Sequence, residues 1–354
     1  MAKIIVTVGP ASIKSCVLKD LLQAGAESFR INLSHSDRQS LKSYFEAIQS
    51  EGIIPAVDTQ GAQLRVEDLP NHPIFKKGET IKLYFEAPQS IDINSANFIC
   101  FNHPEAASQI EVGDIFKIDF DGLLVTAQSQ LSEYCWKAEV IAEGKVVMNR
   151  AVDIQGKVLD LSPLTQFDEY ALEYAQQNQC REVYASFVSC AQDVLKIRSH
   201  LRPGVKLISK IESARGVANA LEIINASDAI LIDRGDLSRE ISIPSIPMAV
   251  RSIVQMALKH KCPVYVATNI LDSMMSSNLP SRAEISDIYT LLDSGVSGLV
   301  LAAEVAIGKN PISSTSLIDY LFRLYNAHAQ GLYGIADVPK PDRRLIGTQL
   351  YNWL

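Results

Sequence analysis

KLISKIESARGVANALEIINASDAILIDRG, residues 206–235, decides how the rest of the chain is read. It opens on an apolar run, KLISKIE (206–212). It passes through ARGVANALEIINA (214–226), whose apolar residues recur at helical spacing, and ends on a second apolar run, AILIDRG (229–235). Near-continuous apolar strands separated by an amphipathic helix are the pattern of a parallel sheet with helices on its faces. In such a strand Lys210 and Glu212 are out of place. At i and i+2 they point the same way, and burial makes both charges costly unless something there uses them.

The same alternation extends in both directions. Further strand candidates are KIIVTVG (3–9), ESFRINLS (27–34), IIPAVDT (53–59), EVYASFV (182–188), PVYVATN (263–269) and GLVLAAE (298–304). Helical periodicity fills 15–25, 37–50, 247–260 and 282–295. Eight strands alternating with helices predict a closed (β/α)8 barrel of the TIM type. The gap after the third strand has another texture. KKGETIKLYF (76–85), VGDIFKIDFDG (113–122) and KAEVIAEGKVVMN (137–149) alternate apolar with polar between Gly, Asn and Asp turns. That is an antiparallel pattern, so a small β domain is expected as an insertion between the third strand and the third helix. Loops after barrel strands lie at the catalytic face, so the insertion is placed to act as a lid. The expected division is 1–61 for the first part of the barrel, 62–156 for the inserted domain and 157–330 for the second part of the barrel. Residues 331–354 form a tail. Its Pro-Lys-Pro-Asp reads as a linker, and LIGTQLYNWL as a short helix packing on the barrel or on a partner.

With 47% apolar residues, the 354-residue chain can build a large core. A net charge of −7 without a basic block argues against nucleic acid as the main partner. No apolar run is long enough to span a bilayer, and the first residues do not form a secretory signal. The six cysteines are scattered and form no CxxC, which disfavours zinc and disulfide frameworks. A cytoplasmic location is therefore expected.

Polar residues gather at the strand ends. Arg30, Asn32 and Ser34 occupy alternate positions of the second strand and share a face. The third strand ends in Asp58-Thr59, with Arg65 just beyond. Four oxygen donors, from Asn32, Ser34, Asp58 and Thr59, can converge on a hard cation. Glu212, ending the fifth strand, and Asp236, after the sixth, form a plausible Mg2+ pair. Gly235-Asp236 opens a segment whose amides can hold an anion. Thr268-Asn269 and Glu304 end the seventh and eighth strands, where each can equally cap the next segment. A lysine, two arginines and a carboxylate pair at one end of one barrel fit phosphoryl transfer, which needs positive charge more than covalent help.

At this point the residues resemble the pyruvate kinase family. VTVGPAS (6–12), FRINLSH (29–35), DTQGAQLR (58–65), ISKIES (208–213), DRGDLSREI (233–241), ATNILDSMM (267–275) and PSRAEISDI (280–288) are similar to its motifs, in its order. The resemblance spans residues 3 to about 325 and implies a barrel with a β-rich lid. It implies transfer of phosphate from phosphoenolpyruvate to ADP, giving pyruvate and ATP. It implies that Lys210 stabilises the phosphoryl group, that Glu212 and Asp236 bind Mg2+ and that Thr268 assists proton delivery to the enolate carbon. Arg30 and Arg65 would contact phosphates and His35 would lie near the nucleotide. Asn32, Ser34, Asp58 and Thr59 would hold a monovalent cation, K+ in the family. A homodimer is the expected assembly.

The chain departs from the family's pattern in four places. Gln60, Ala62 and Gln63 stand where the family has Lys, Pro and Glu, which leaves the K+ requirement open. Asp233 stands where it usually has alanine, adding negative charge beside an anion site. AAEV (302–305) replaces SGET. The chain stops where the family's C-terminal regulatory domain would begin, so its effector site is not expected. Asp233 and AAEV keep a second reading open, a metal-dependent enzyme making or breaking C–C or C–O bonds of an enolpyruvate or 2-oxo acid. A non-catalytic binding module is the third reading.

Overall fold

The structure, a computed structural model, describes residues 2–87, 97–118, 122–329 and 338–354. The chain divides into two compact units, Met1–Gln60 with Gln166–Leu354, and Gly61–Thr165.

The first unit is a closed parallel barrel. Its strands are β1 (Lys3–Val8), β2 (Ser28–Asn32), β3 (Ala56–Asp58), β4 (Glu182–Ala185), β5 (Lys206–Ile211), β6 (Ala229–Asp233), β7 (Val264–Ala267) and β8 (Gly298–Leu301). Each pairs with its neighbours in chain order, and β1 pairs in parallel with both β2 and β8, which closes the ring. All eight expected strands are present. Runs such as AILID in β6 are buried along their whole length, as strands covered on both sides must be. Ile5, Ala56, Tyr184, Ile208, Ala229, Leu231, Ala267 and Val300 pack together inside the ring.

The helices of this unit are α1 (Ser15–Gln23), α2 (Arg38–Gln49), α3 (Gln166–Gln177), α4 (Ala191–Ser199), α5 (Ala214–Ala218), α6 (Ala220–Ala226), α7 (Arg234–Glu240), α8 (Ile246–Lys259), α9 (Arg282–Asp293), α10 (Ala303–Ala306), α11 (Pro311–Ala329) and α12 (Arg343–Trp353). Local chemistry sets their starts. Asp37 and Ser40 form a capping box on α2, and Ser281 and Glu284 another on α9. The helix expected over 214–226 is broken at Asn219, whose side chain donates to the Ser189 carbonyl at 2.8 Å. Helical periodicity continues across that break, so the pattern alone does not reveal it.

In the tail, 331–337 lie outside the described residues. The expected helix is α12, and it packs on α11 rather than standing free. Ile346 and Leu350 are buried, and Ser313 donates to the Leu345 carbonyl. Gly347, at φ 70°, kinks it.

The insertion follows β3, and the chain is tied across it. The Gln60 backbone N–H donates to the buried carboxylate of Asp168, in the first turn of α3, at 2.7 Å.

The second unit carries a seven-stranded sheet in the order Val152–Ile154, Ile115–Ile118, Leu123–Ser132, Cys135–Ala142, Thr80–Tyr84, Phe98–Phe101, Val66–Asp68. A two-stranded pair joins Gly144–Lys145 to Ile74–Phe75. The sheet is mixed rather than purely antiparallel. Thr80–Tyr84 and Phe98–Phe101 run parallel, with Lys82 opposite Phe98 and Tyr84 opposite Cys100. Of the strand expected at 113–122, residues 119–121 lie outside the described residues. Phe75, Phe85, Phe101, Phe116 and Trp136 anchor a separate core, with Phe101 and Phe116 stacked at 5.8 Å. Residues 157–165 belong with this unit. Gln109 and Asp160 exchange two hydrogen bonds of 2.8 Å, the Ser162 amide donates to Glu105, and Leu159 and Leu161 pack on the core.

Candidate active site

The carboxyl ends of β2 to β7 carry the charges that the sequence placed there. Lys210 lies next to the last residue of β5, and its side chain is only 7% exposed. Its ammonium lies 3.1 Å from Glu212 Oε2, 3.2 Å from Asp58 Oδ1 and 3.8 Å from Asp233 Oδ2, and donates to Ser186 Oγ at 2.9 Å. Burial alone would push this ammonium down. Asp58, Glu212 and Asp233 outweigh that and hold it above the ordinary lysine value.

Asp58 is the hub of a second cluster. Its Oδ2 lies 2.9 Å from an Arg30 guanidinium nitrogen, and its Oδ1 accepts from Ser186 Oγ at 3.1 Å. Arg30 is buried, donates from Nε to Thr7 Oγ1 at 2.8 Å and sits 5.5 Å over the Tyr184 ring. Asp58 thus bridges two buried cations. Thr59 Oγ1 accepts from the Ser186 amide, and Asn32 Oδ1 from the Ser34 amide, each at 2.9 Å. Three of the four oxygen donors expected around a monovalent cation, those of Asn32, Asp58 and Thr59, are therefore near protein partners already, and Asp58 most of all.

Glu212 is wholly buried and accepts from the Phe187 amide at 2.7 Å. Burial pushes its carboxyl up, and Lys210 pulls against that. Asp236, Asp233 and Asp58 push up as well, and the balance lies above the ordinary glutamate range. One carboxylate oxygen from each of Glu212, Asp233 and Asp236 falls within 4.8 Å of the others. Three carboxylates drawn together and offering only oxygen atoms suit a hard divalent cation, so the donor set fits Mg2+.

Thr268 follows β7 in the left-handed region at φ 67°, and Asn269 is there too at φ 53°. For a β-branched residue this is a strained conformation. Arg234 holds it. Its guanidinium donates to the Thr268 and Asn269 carbonyls and pairs with Asp287 at 2.7 Å. Thr268 Oγ1 accepts from the Gly235 amide at 2.8 Å and lies 3.2 Å from Asp233 Oδ1. The Gly235 N–H is therefore engaged within the protein. Glu304 is a structural tie, accepting from the amides of Ile270, Leu271 and Ala302.

Beside this cluster a cavity of about 470 Å3 is lined by Arg30, Asn32 and His35 and by Pro10, Tyr44 and Ile307 among others. Gly9 lets the backbone pass here, because a Cβ would come within 2.5 Å of the Ala306 carbonyl oxygen. Arg65 belongs to the second unit, where its guanidinium donates to the Asn149 carbonyl at 2.9 Å.

Two participants, Ser186 and Thr7, have no counterpart among the sequence candidates, and a third, Asp233, enters the sequence reading only as a departure from the family's pattern. Ser186 joins Lys210 to Asp58, Thr7 fixes Arg30, and Asp233 completes the carboxylate group. The signal for Ser186 was a lone serine alternating with Tyr184 at the end of β4. For Asp233 it was a charge ending a fully apolar strand.

Comparison with known proteins places these residues in a wider set. The family model described as pyruvate kinase, barrel domain, matches residues 1–315. The chain is 29% identical over 326 residues to pyruvate kinase isozyme G, chloroplastic, of Nicotiana tabacum, covering 89% of this chain and 57% of that protein. It is 31% identical over 336 residues to a pyruvate kinase of Agrobacterium vitis, covering 92% and 70%. It is 31% identical over 323 residues to the pyruvate kinase of Aeropyrum pernix, covering 88% and 68%. The chain spans little more than half the length of the tobacco relative.

Proposed function

Because the chain belongs to the pyruvate kinase family, we propose that it is a Mg2+-dependent phosphotransferase that moves phosphate from phosphoenolpyruvate to ADP, giving pyruvate and ATP. The observation that carries this reading is the buried Lys210 ammonium 3.1 Å from Glu212, which itself sits within a carboxylate cluster. A fixed cation beside a divalent-metal site is what a transferring phosphoryl group requires.

In this reading Lys210 stabilises charge on the phosphoryl group, and Arg30 binds phosphate oxygens. Glu212 and Asp236 hold Mg2+, which when bound supplies Lewis-acid charge against the anionic substrates. Thr268 delivers the proton to the enolate carbon. Its oxygen accepts a hydrogen bond from the Gly235 amide, which makes the hydroxyl a better donor. The cavity, whose lining includes Arg30, Asn32 and His35 together with Tyr44 and Ile307, suits a nucleoside diphosphate. Arg65 is assigned to phosphate by the family resemblance. The same resemblance supports a monovalent-cation site at Asn32, Ser34, Asp58 and Thr59, and a homodimer in a reducing cytoplasm is proposed beside it. Among the described residues no helix is long and apolar enough to cross a membrane. The relatives named above are all called pyruvate kinases, and none lends support to C–C or C–O bond chemistry.

The test is to incubate the protein with phosphoenolpyruvate, Mg2+ and ADP, with and without K+, and follow pyruvate and ATP together. Equal amounts of both, lost in Lys210→Met, are expected. Binding of Mg2+ and phosphoenolpyruvate without ATP formation would overturn the reading.

A further inference from the structure

We propose that Asp233 is a third carboxylate ligand of the divalent cation, beside Glu212 and Asp236, so that this chain loads its cation tightly before substrate arrives. The inference rests on the proposed Mg2+ site and extends it to a residue that the family resemblance does not supply, since alanine usually stands there.

Strand register brings the three together. Ile211 of β5 pairs with Ile232 of β6, so Glu212 and Asp233 leave adjacent strands side by side. Asp236 lies one helical turn further on, in α7. The 4.8 Å spread is one that a small rotamer adjustment closes onto an octahedral ion with oxygen bonds of about 2.1 Å.

Two simpler roles for Asp233 leave part of the side chain unexplained. As the cap of α7 it uses Oδ1, which accepts from the Gly235 amide at 3.2 Å and faces Thr268 Oγ1. As a counter-ion it is redundant. Its Oδ2 is 3.8 Å from Lys210, while Asp58 and Glu212 are at 3.2 and 3.1 Å. The second oxygen, on a side chain only 6% exposed, thus makes the longest of the three carboxylate contacts to Lys210 and has two further carboxylates beside it. A divalent ion relieves the repulsion among the three. Three protein carboxylates then fill three octahedral positions instead of two, and three remain for substrate oxygens and water. Greater ligand charge tightens the site for the ion alone.

Mn2+ serves as the spectroscopic probe. Titrating it into the wild-type protein without substrate, with free Mn2+ followed by electron paramagnetic resonance, is expected to show one tight site. Asp233→Asn is expected to weaken it by roughly tenfold or more. Asparagine caps a helix as well as aspartate does, so this variant keeps α7. Asp233→Ala is expected to raise the water-proton relaxivity of the bound Mn2+, because a water takes the vacated position. Unchanged or tighter binding in Asp233→Asn overturns the inference and leaves the Glu212–Asp236 site standing. So does weaker binding with unchanged relaxivity in Asp233→Ala, which would make Asp233 a remote charge only. Absence of any Mn2+ site in the wild type overturns both this inference and the metal-dependent reaction.

Discussion

Asp58→Asn probes the charge network most directly. Asp58 is 1% exposed and lies between Arg30 at 2.9 Å and Lys210 at 3.2 Å. Removing its charge leaves two buried cations facing each other with less compensation. Breaking a buried pair from one side costs about 3–5 kcal/mol. Asparagine is nearly isosteric and still accepts from Ser186, so the lower end, about 3 kcal/mol, is expected. The assay is urea unfolding of the barrel followed by circular dichroism, with EDTA present so that no cation substitutes for the lost balance. Lys210→Met closes a thermodynamic cycle. It removes one of the two cations that Asp58 neutralises, so the double variant should be more stable than the sum of the single effects by more than about 1 kcal/mol. A loss below about 1 kcal/mol in Asp58→Asn, or additivity within about 0.5 kcal/mol, would refute the view of Asp58 as the shared counter-ion.

Other consequences are simpler to read. Burial pushes Cys100 up to about 12 and Cys180 and Cys262 up to about 11, while Cys16 is exposed and Cys190 half-buried. A thiol reagent should therefore label Cys16 quickly, Cys190 more slowly and the other four only on unfolding; fast labelling of Cys180 in native protein would contradict the fold. For Glu105, burial raises the carboxyl, but His103, the Ser162 amide and its own amide carry it down to about 2. That contribution to the second unit is present above pH 4.5 and is lost as the pH falls through 4.5 toward 2. Trp136 fluorescence in a Trp353→Phe background should show less acid sensitivity in Glu105→Gln, and identical titrations would count against the network. Leu350→Ala opens a cavity where α12 meets α11 and should cost about 2–5 kcal/mol of local stability. Limited proteolysis should then clip the C-terminal helix first, and equal resistance to the wild type would rule that docking out.

Much of the barrel was readable because its strands are buried on both faces and announce themselves as unbroken apolar runs. The strand-end charges were readable for the same reason, since Lys210, Glu212 and Asp58 have no solvent face to explain them. What escaped depends on neighbours in space. Ser186 matters only because β4 lies between β3 and β5, and the extra charge of Asp233, visible in the sequence, joins Glu212 only through the β5–β6 register. Asn219 breaks a helix through a bond to a distant carbonyl, which periodicity cannot show. In the inserted unit the alternation of side chains is the same for parallel and antiparallel pairing, so the parallel pair between Thr80–Tyr84 and Phe98–Phe101 left no mark on the sequence.

The bond from the Gln60 amide to Asp168 has a consequence for modularity. It fastens the end of β3 to the start of α3 whatever the chain does between Gly61 and Thr165. The barrel thus contains a pre-closed socket, in which the entropic cost of holding the two ends together does not fall on the guest. A short glycine-serine bridge in place of residues 61–165 should leave a folded barrel, and an unrelated domain with neighbouring termini should be accepted in the same socket. Replacing Asp168 with alanine should make both grafts fail to fold while the parent chain, stitched by its own inserted sequence, survives.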